Sequence, residues 1–170
     1  MRNPILSGAL AFAVVALVPA ARAADEGLIG AQKTLTSTGA RALVDSCLAY
    51  ARRNNQRIGI AVVDPFGNLI DYHTMGGTNV IAGESAILKA TTAVRWWRST
   101  EELNARVLAE QNVAPVWIGD FPQRGGVPIV IDGVVVGGMG IGGGGGDDCA
   151  KAAIAAVLPG AVTAVPGPIP

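Results

Sequence analysis

One histidine, His73, and two cysteines, Cys47 and Cys149, are all that the chain offers of the softer metal-binding side chains. A closed tetrahedral zinc site needs four such ligands, so a structural zinc centre does not fit. Any nucleophilic triad would depend on the same imidazole, and neither Ser85 nor Ser99 stands in a Gly-x-Ser-x-Gly frame. Excess charge of either sign is also missing, with 13 basic and 13 acidic residues. A near-neutral chain has no basic field for phosphate backbones or anionic lipid heads, which argues against nucleic acid and membrane surfaces as partners. Beyond the N-terminal segment there is no second long apolar run, and so no candidate for membrane insertion.

The N-terminal segment has its own chemistry. Arg2 precedes an apolar run over 5–18, and Ala21-Arg22-Ala23 is a small-x-small site before Ala24-Asp25. The run is shorter than the ~20 residues of a membrane-spanning helix and has the form of a cleavable secretory signal. Residues 1–23 are therefore expected to be removed, and the protein to be periplasmic or secreted. Cleavage takes Arg2 and Arg22 and no acidic residue, so the 13 basic and 13 acidic residues become 11 and 13, a net charge of −2. What remains is the size of one domain with a real core, expected over 24–158. In an oxidising compartment Cys47 and Cys149 can pair, or they can be two small buried residues that never meet. The sequence leaves both readings open.

Helical spacing of Leu43, Val44, Cys47, Leu48 and Ala51 predicts an amphipathic helix over 38–56. An apolar strand over 58–63 is followed by Asp64-Pro65-Phe66-Gly67-Asn68, which has the residues of a hairpin turn, and by a returning strand over 69–73. A second helix is expected over 84–98. A third starts at the capping-box spacing Ser99-Thr100-Glu101-Glu102, and 115–121 reads as irregular or a short strand. Asp132-Gly133 makes the second hairpin, between 127–131 and 134–139. A glycine run over 142–146 leads to a last helix, capped by Asp147 or Asp148 and ending near Leu158-Pro159. Residues 159–170 read as a disordered tail. Hairpins imply antiparallel pairing, so the fold class is α/β of the α+β kind, with about five antiparallel strands flanked by helices.

Gly138-Met139-Gly140-Ile141-Gly142-Gly143 satisfies the dinucleotide-binding spacing G-x-G-x-x-G after a strand. No second parallel strand follows, however, and aspartates at the next helix start would repel a pyrophosphate, so nucleotide binding is set aside. His73 is the natural acid–base or metal-ligand candidate, with Met75 two residues on, and both residue types can ligate a haem iron. Arg95 could pair with ligand carboxylates such as haem propionates. Of the adjacent Trp96 and Trp97, only one fits a helix core stripe, which leaves the other for a subunit interface or a ligand face.

Four motifs in series resemble one family. They are Gly59-Ile60-Ala61-Val62-Val63-Asp64 with Gly67; Glu84-Ser85-Ala86-Ile87-Leu88-Lys89-Ala90-Thr91-Thr92-Ala93; Gly125-Gly126-Val127-Pro128-Ile129 with Gly133, Val136-Gly137 and Gly140; and the glycine loop closing on Asp147-Asp148. The pattern, from Leu35 to Leu158, resembles the GlcG/HbpS-type small haem-binding proteins, which are related to the C-terminal domain of PduO-type proteins. The resemblance implies a profilin-like fold with a five-stranded antiparallel sheet, assembly as a homo-oligomer, and haem or a related tetrapyrrole as ligand. Lys89 and Gly126 match the family pattern and join His73, Met75 and Arg95 as candidate ligand-binding residues. Relatives carry an Arg-Met-Asp-Gly-Ala-like stretch after the second strand, where this chain has Thr74-Met75-Gly76-Gly77-Thr78, without the charged pair.

Three functional readings follow. The first is an exported, oligomeric binding protein for haem or a related small molecule, accessory to redox sensing or catabolism, with His73 on the iron. The second is a small catabolic enzyme using Lys89 or Asp64 at a subunit interface. The third is an interaction module assembled through the paired tryptophans. Whether the protein is an enzyme stays open, and export favours binding.

Overall fold

Ile58–Val63 is buried along its whole length and forms the spine of the molecule. The protein is described over residues 30–167 by a computed structural model, and the expected signal over 1–23 lies outside the described residues. In chain order the elements are α1 (Ser37–Arg53), β1 (Ile58–Val63), β2 (Leu69–Thr74), α2 (Val80–Trp96), α3 (Thr100–Glu110), α4 (Ala114–Trp117), β3 (Gly126–Ile131), β4 (Val134–Gly143) and α5 (Asp148–Val157). The strands form one antiparallel sheet in the order β2-β1-β4-β3. Among the described residues no helix is long and apolar enough to cross a membrane.

The turns follow their residue chemistry. Asp132 and Gly133 both have positive φ, 53° and 77°, the requirement of the tight hairpin turn that Asp-Gly predicts. In the β1–β2 turn the Asp64 carboxylate accepts from the amides of Phe66 and Asn68 and from Asn68 Nδ2, each at 2.8 Å. Slight burial pushes this carboxyl up, but the hydrogen bonds from Asn68, Phe66 and Gly67 outweigh it and hold it below the ordinary aspartate value.

The two faces of the sheet differ in side-chain size. One face carries Ile58, Ile60, Val62, Val127, Ile129, Met139 and Ile141, which pack with Leu43, Val44, Cys47 and Leu48 of α1 and with Ala150, Ala153 and Ile154 of α5. Cys47 and Cys149 are joined as a disulfide across these two helices, their Cα atoms 5.2 Å apart. The other face carries the smaller cluster of Ala61, Val63, Val130 and Val135 against Ala86, Ala90 and Val94 of α2, beside a strip of glycines. A Cβ on Gly140 would lie 2.0 Å from the Ala86 carbonyl, one on Gly142 1.9 Å from that of Ala82, and one on Gly126 2.3 Å from that of Lys89. Gly138 and Gly59 are closed off in the same way by Val94 and by Ala82. Helix α2 therefore lies directly on the backbone of the sheet, its small residues Ala82, Ala86 and Ala90 turned inward. The G-x-G-x-x-G spacing belongs to this packing stripe, alternate glycines of one strand sharing a face.

Several expectations need correction. The described residues hold four strands, where five were expected. Pro115 starts a single helical turn, so 114–117 does not extend. A second difference lies past α5. Residues 159–167 do not trail away as the disordered tail expected from composition; Val162 and Val130 exchange backbone hydrogen bonds at 2.9 Å, an isolated bridge beside β3. The buried guanidinium of Arg98 donates to the carbonyls of Val165 and Gly167, because a charge out of water needs acceptors. Two bounds also move: α2 begins at Val80, capped by Asn79 accepting from the Ala82 amide at 3.0 Å, and β4 runs on to Gly143.

The stripe can be tested by adding one methyl group. Gly140→Ala should lower unfolding free energy by about 3 kcal/mol in urea melts, since neither backbone can retreat. Gly144→Ala, where nothing lies within 4 Å of the new Cβ, should stay within about 0.5 kcal/mol of the parent.

Candidate functional site

The sheet divides the five candidate residues into two groups. His73 stands opposite Ile60 in the β1–β2 register, which places it on the α1 face of the edge strand. It is half-buried, and no described residue hydrogen-bonds its imidazole. Met75 continues the β2 ladder, its amide donating to the Ile58 carbonyl at 3.0 Å, and its side chain packs on the α1-side core. Asp71 shares this face, opposite Val62, and pairs with Arg41 of α1 at 3.0 Å. Ser37, Thr38, Arg41, Ile70 and Asp71 line a groove of about 420 Å³ between α1 and the free edge of β2. His73 lies one step along the same strand face from that groove. The groove and the neighbouring His73 together offer one imidazole with no partner among the described residues, one half-open guanidinium shared with the Asp71 carboxylate, and two hydroxyls, a donor set that fits an iron porphyrin carrying carboxylates.

Lys89, Arg95 and Gly126 lie on or under α2, across the sheet. Lys89 is 5 % exposed; its ammonium donates to the Ile141 carbonyl at 3.2 Å and lies 5.8 Å from the centre of the Phe121 ring. Burial without a carboxylate partner pushes this amine below the ordinary lysine value. Gly126 is buried under the Lys89 carbonyl, and its amide donates to Thr100 Oγ1 at 2.9 Å. Arg95 is bound to Asp120 at 2.5 Å, and Asp120 also accepts from Trp96 Nε1 at 2.7 Å. That buried aspartate settles which indole faces inward: Trp96 is held, and Trp97 is left 47 % exposed. No spacing in the chain marks Asp120, because its partners are 24 and 25 positions away.

The glycine loop leads to a charged cluster. Asp147 is fully buried and lies 2.7 Å from Arg124 and 2.5 Å from Lys151, with Asp148 on the same arginine at 2.9 Å. Burial pushes the Asp147 carboxyl up, but hydrogen bonds from Lys151 and Arg124 outweigh it and hold it below the ordinary aspartate value. The cluster ties the start of β3 to the start of α5. Among the described residues no group of three His, Cys, Asp or Glu side chains could hold a metal ion.

Residues 35–158 match the family described as haem degrading protein HbpS-like. The chain belongs to that family. Among solved structures, a double mutant of HbpS from Streptomyces reticuli is 26 % identical, with 91 % of this chain and 99 % of that one covered at a TM-score of 0.72. A second HbpS structure is 30 % identical over 78 % of this chain and 95 % of its own, also at 0.72. A PduOC:heme complex is 25 % identical over 77 % of this chain and 99 % of its own, at 0.71. Among curated proteins nothing matches significantly. The HbpS-like chains thus share the α+β architecture with its antiparallel sheet, and the family assignment and the haem complex support a haem-related ligand.

Lys89 sets a pH dependence whose sign can be worked out. Its charged form is disfavoured in the fold, so between its lowered value and the ordinary 10.5 the unfolded chain holds more protons. Stability should therefore rise with pH across that window, and Lys89→Met should remove the rise. Chemical melts over a pH series up to 10.5 would show a parallel profile for the two proteins if the amine were solvated.

Proposed function

We propose that this protein is an exported, oligomeric binding protein for haem or a related tetrapyrrole, and that His73 supplies the ligand to the iron. One observation supports this reading: the single imidazole of the chain stands on the edge strand of the sheet, without a hydrogen-bond partner among the described residues, beside the α1–β2 groove. Family membership and the haem complex of a relative support the ligand class. In this reading Arg41 and the Ser37 and Thr38 hydroxyls hold the propionates, and Met75 supports the strand end from the core side. Bound haem would bring a redox-active iron to the surface of the sheet edge.

An edge site leaves one porphyrin face open to water. A second copy set across the same edge would cover that face, which is the argument for a homo-oligomer. Export rests on the signal-like segment over 1–23, and periplasmic or secreted placement rests on it too. The catalytic reading through Lys89 ranks second, since its amine is enclosed by Ile141, Phe121 and the glycine pair Gly125-Gly126.

Titration of the mature chain with hemin should give a Soret band at one haem per chain. His73→Ala should shift that band and weaken binding at least tenfold, or about 1.4 kcal/mol, and Arg41→Ala should weaken binding severalfold without moving it. Absence of any band overturns the haem reading. A spectrum unchanged in His73→Ala removes His73 as the iron ligand.

A further inference from the structure

The end of the sheet away from His73 carries a cavity that the haem reading does not use. Both hairpin turns, Asp64-Pro65-Phe66-Gly67-Asn68 and Asp132-Gly133, lie at this end, because Val63 pairs with Leu69 and with Gly138. Between them is a recess of about 330 Å³ lined by Phe66, Trp97, Val134, Val135, Val165 and Gln32, among others. Its volume lies within the range of small-molecule sites. A second hollow of about 300 Å³, reaching Arg95, shares Pro65, Phe66 and Trp97 with it.

Three features show that the recess is built. Trp97 has φ 55° and ψ 26°, the left-handed end of α2, where glycine or asparagine is the unstrained choice. The fold keeps a large aromatic there and leaves its ring half exposed in the cavity wall. Phe66 is 74 % exposed, yet its backbone is fixed by the Asp64 carboxylate. The wall that carries Val165 is the C-terminal strap, latched by Arg98, whose guanidinium also donates to the Trp97 carbonyl at 3.1 Å. The Gln32 amide nitrogen donates to the Val135 carbonyl at 3.3 Å, which leaves its oxygen as an acceptor beside an otherwise aliphatic and aromatic lining.

We infer that this strap-walled recess is a second binding site, for an uncharged planar aromatic molecule of about two fused rings with one hydroxyl donor. Phe66 and Trp97 supply the aromatic surface. Gln32 Oε1 accepts a hydrogen bond from the hydroxyl, and Val134, Val135 and Val165 complete the apolar lining. The recess is concave and bounded by the chain's own strap, so a free ring fills it where a flat protein surface would not. The site does not depend on haem or on His73.

Calorimetric titration of the mature chain with 2-naphthol tests it. One molecule should bind per chain, and His73→Ala should bind it equally well. Trp97→Gly relieves the left-handed backbone, so it should melt no lower than the parent while binding at least about tenfold more weakly. Trp97→Phe should lose less than about threefold, since an aromatic face remains. Trp117→Ala, which removes an 81 % exposed indole that does not line the recess, should bind unchanged. The proposal is overturned if the parent takes up no naphthol or if Trp97→Gly binds as the parent does. It is equally overturned if Trp97→Gly lowers the native mass of the assembly, because the surface would then be a subunit contact.

Discussion

Everything in this molecule depends on how closely α2 approaches the sheet. Glycines at 59, 126, 138, 140 and 142 open a side-chain-free strip of the sheet under the helix, and carbonyls of α2 with the Val94 side chain occupy that space. At Gly126 and Gly140 the nearest contacts are backbone carbonyls of α2, so no flexible side chain is there to absorb a change. The close approach also sets where the chain's functional groups can go. Lys89, on the inward face of α2, is drawn under the β3 glycines with only the Ile141 carbonyl as acceptor. The other face takes the volume that this one gives up, with Ile, Val and Met packed beneath α1 and α5.

This asymmetry explains why the candidate ligand residues do not converge. His73 and Met75 belong to the aliphatic face at the free edge of β2, where a groove is open beside α1. Lys89 and Gly126 belong to the glycine face, where packing leaves little room, and Arg95 lies further along α2, half exposed and paired with Asp120. A planar tetrapyrrole suits the first setting and not the second. The proposed haem reading is therefore set on the edge strand, while Lys89 and Gly126 lie on the other side of the sheet.

Elements that local physics decides are legible in the sequence. Asp-Gly at 132–133 needed only the positive φ that those residues tolerate. The first helix needed only the spacing of Leu43, Cys47 and their neighbours. The start of α2 is not legible locally, because Asn79 caps it from within a glycine-rich stretch that resembles a loop. The use of the G-x-G-x-x-G run as a bed for α2 cannot be seen without the helix in place. Asp120 and the Arg98 latch were illegible for a related reason: each is defined by partners more than twenty positions away.

The sequence alone determined the kind of elements, the antiparallel pairing, the single imidazole and the family, since these rest on spacing and residue type. Only the tertiary structure decided that His73 and Lys89 lie on opposite faces and that Trp97, not Trp96, is left exposed. It also decided that the segment with Val162 and Val165 returns to wall a recess. The reason is that a strand assigns its side chains to faces only once its partners and register are set. A buried charge such as Arg98 likewise chooses its acceptors only after the surrounding chain has closed around it.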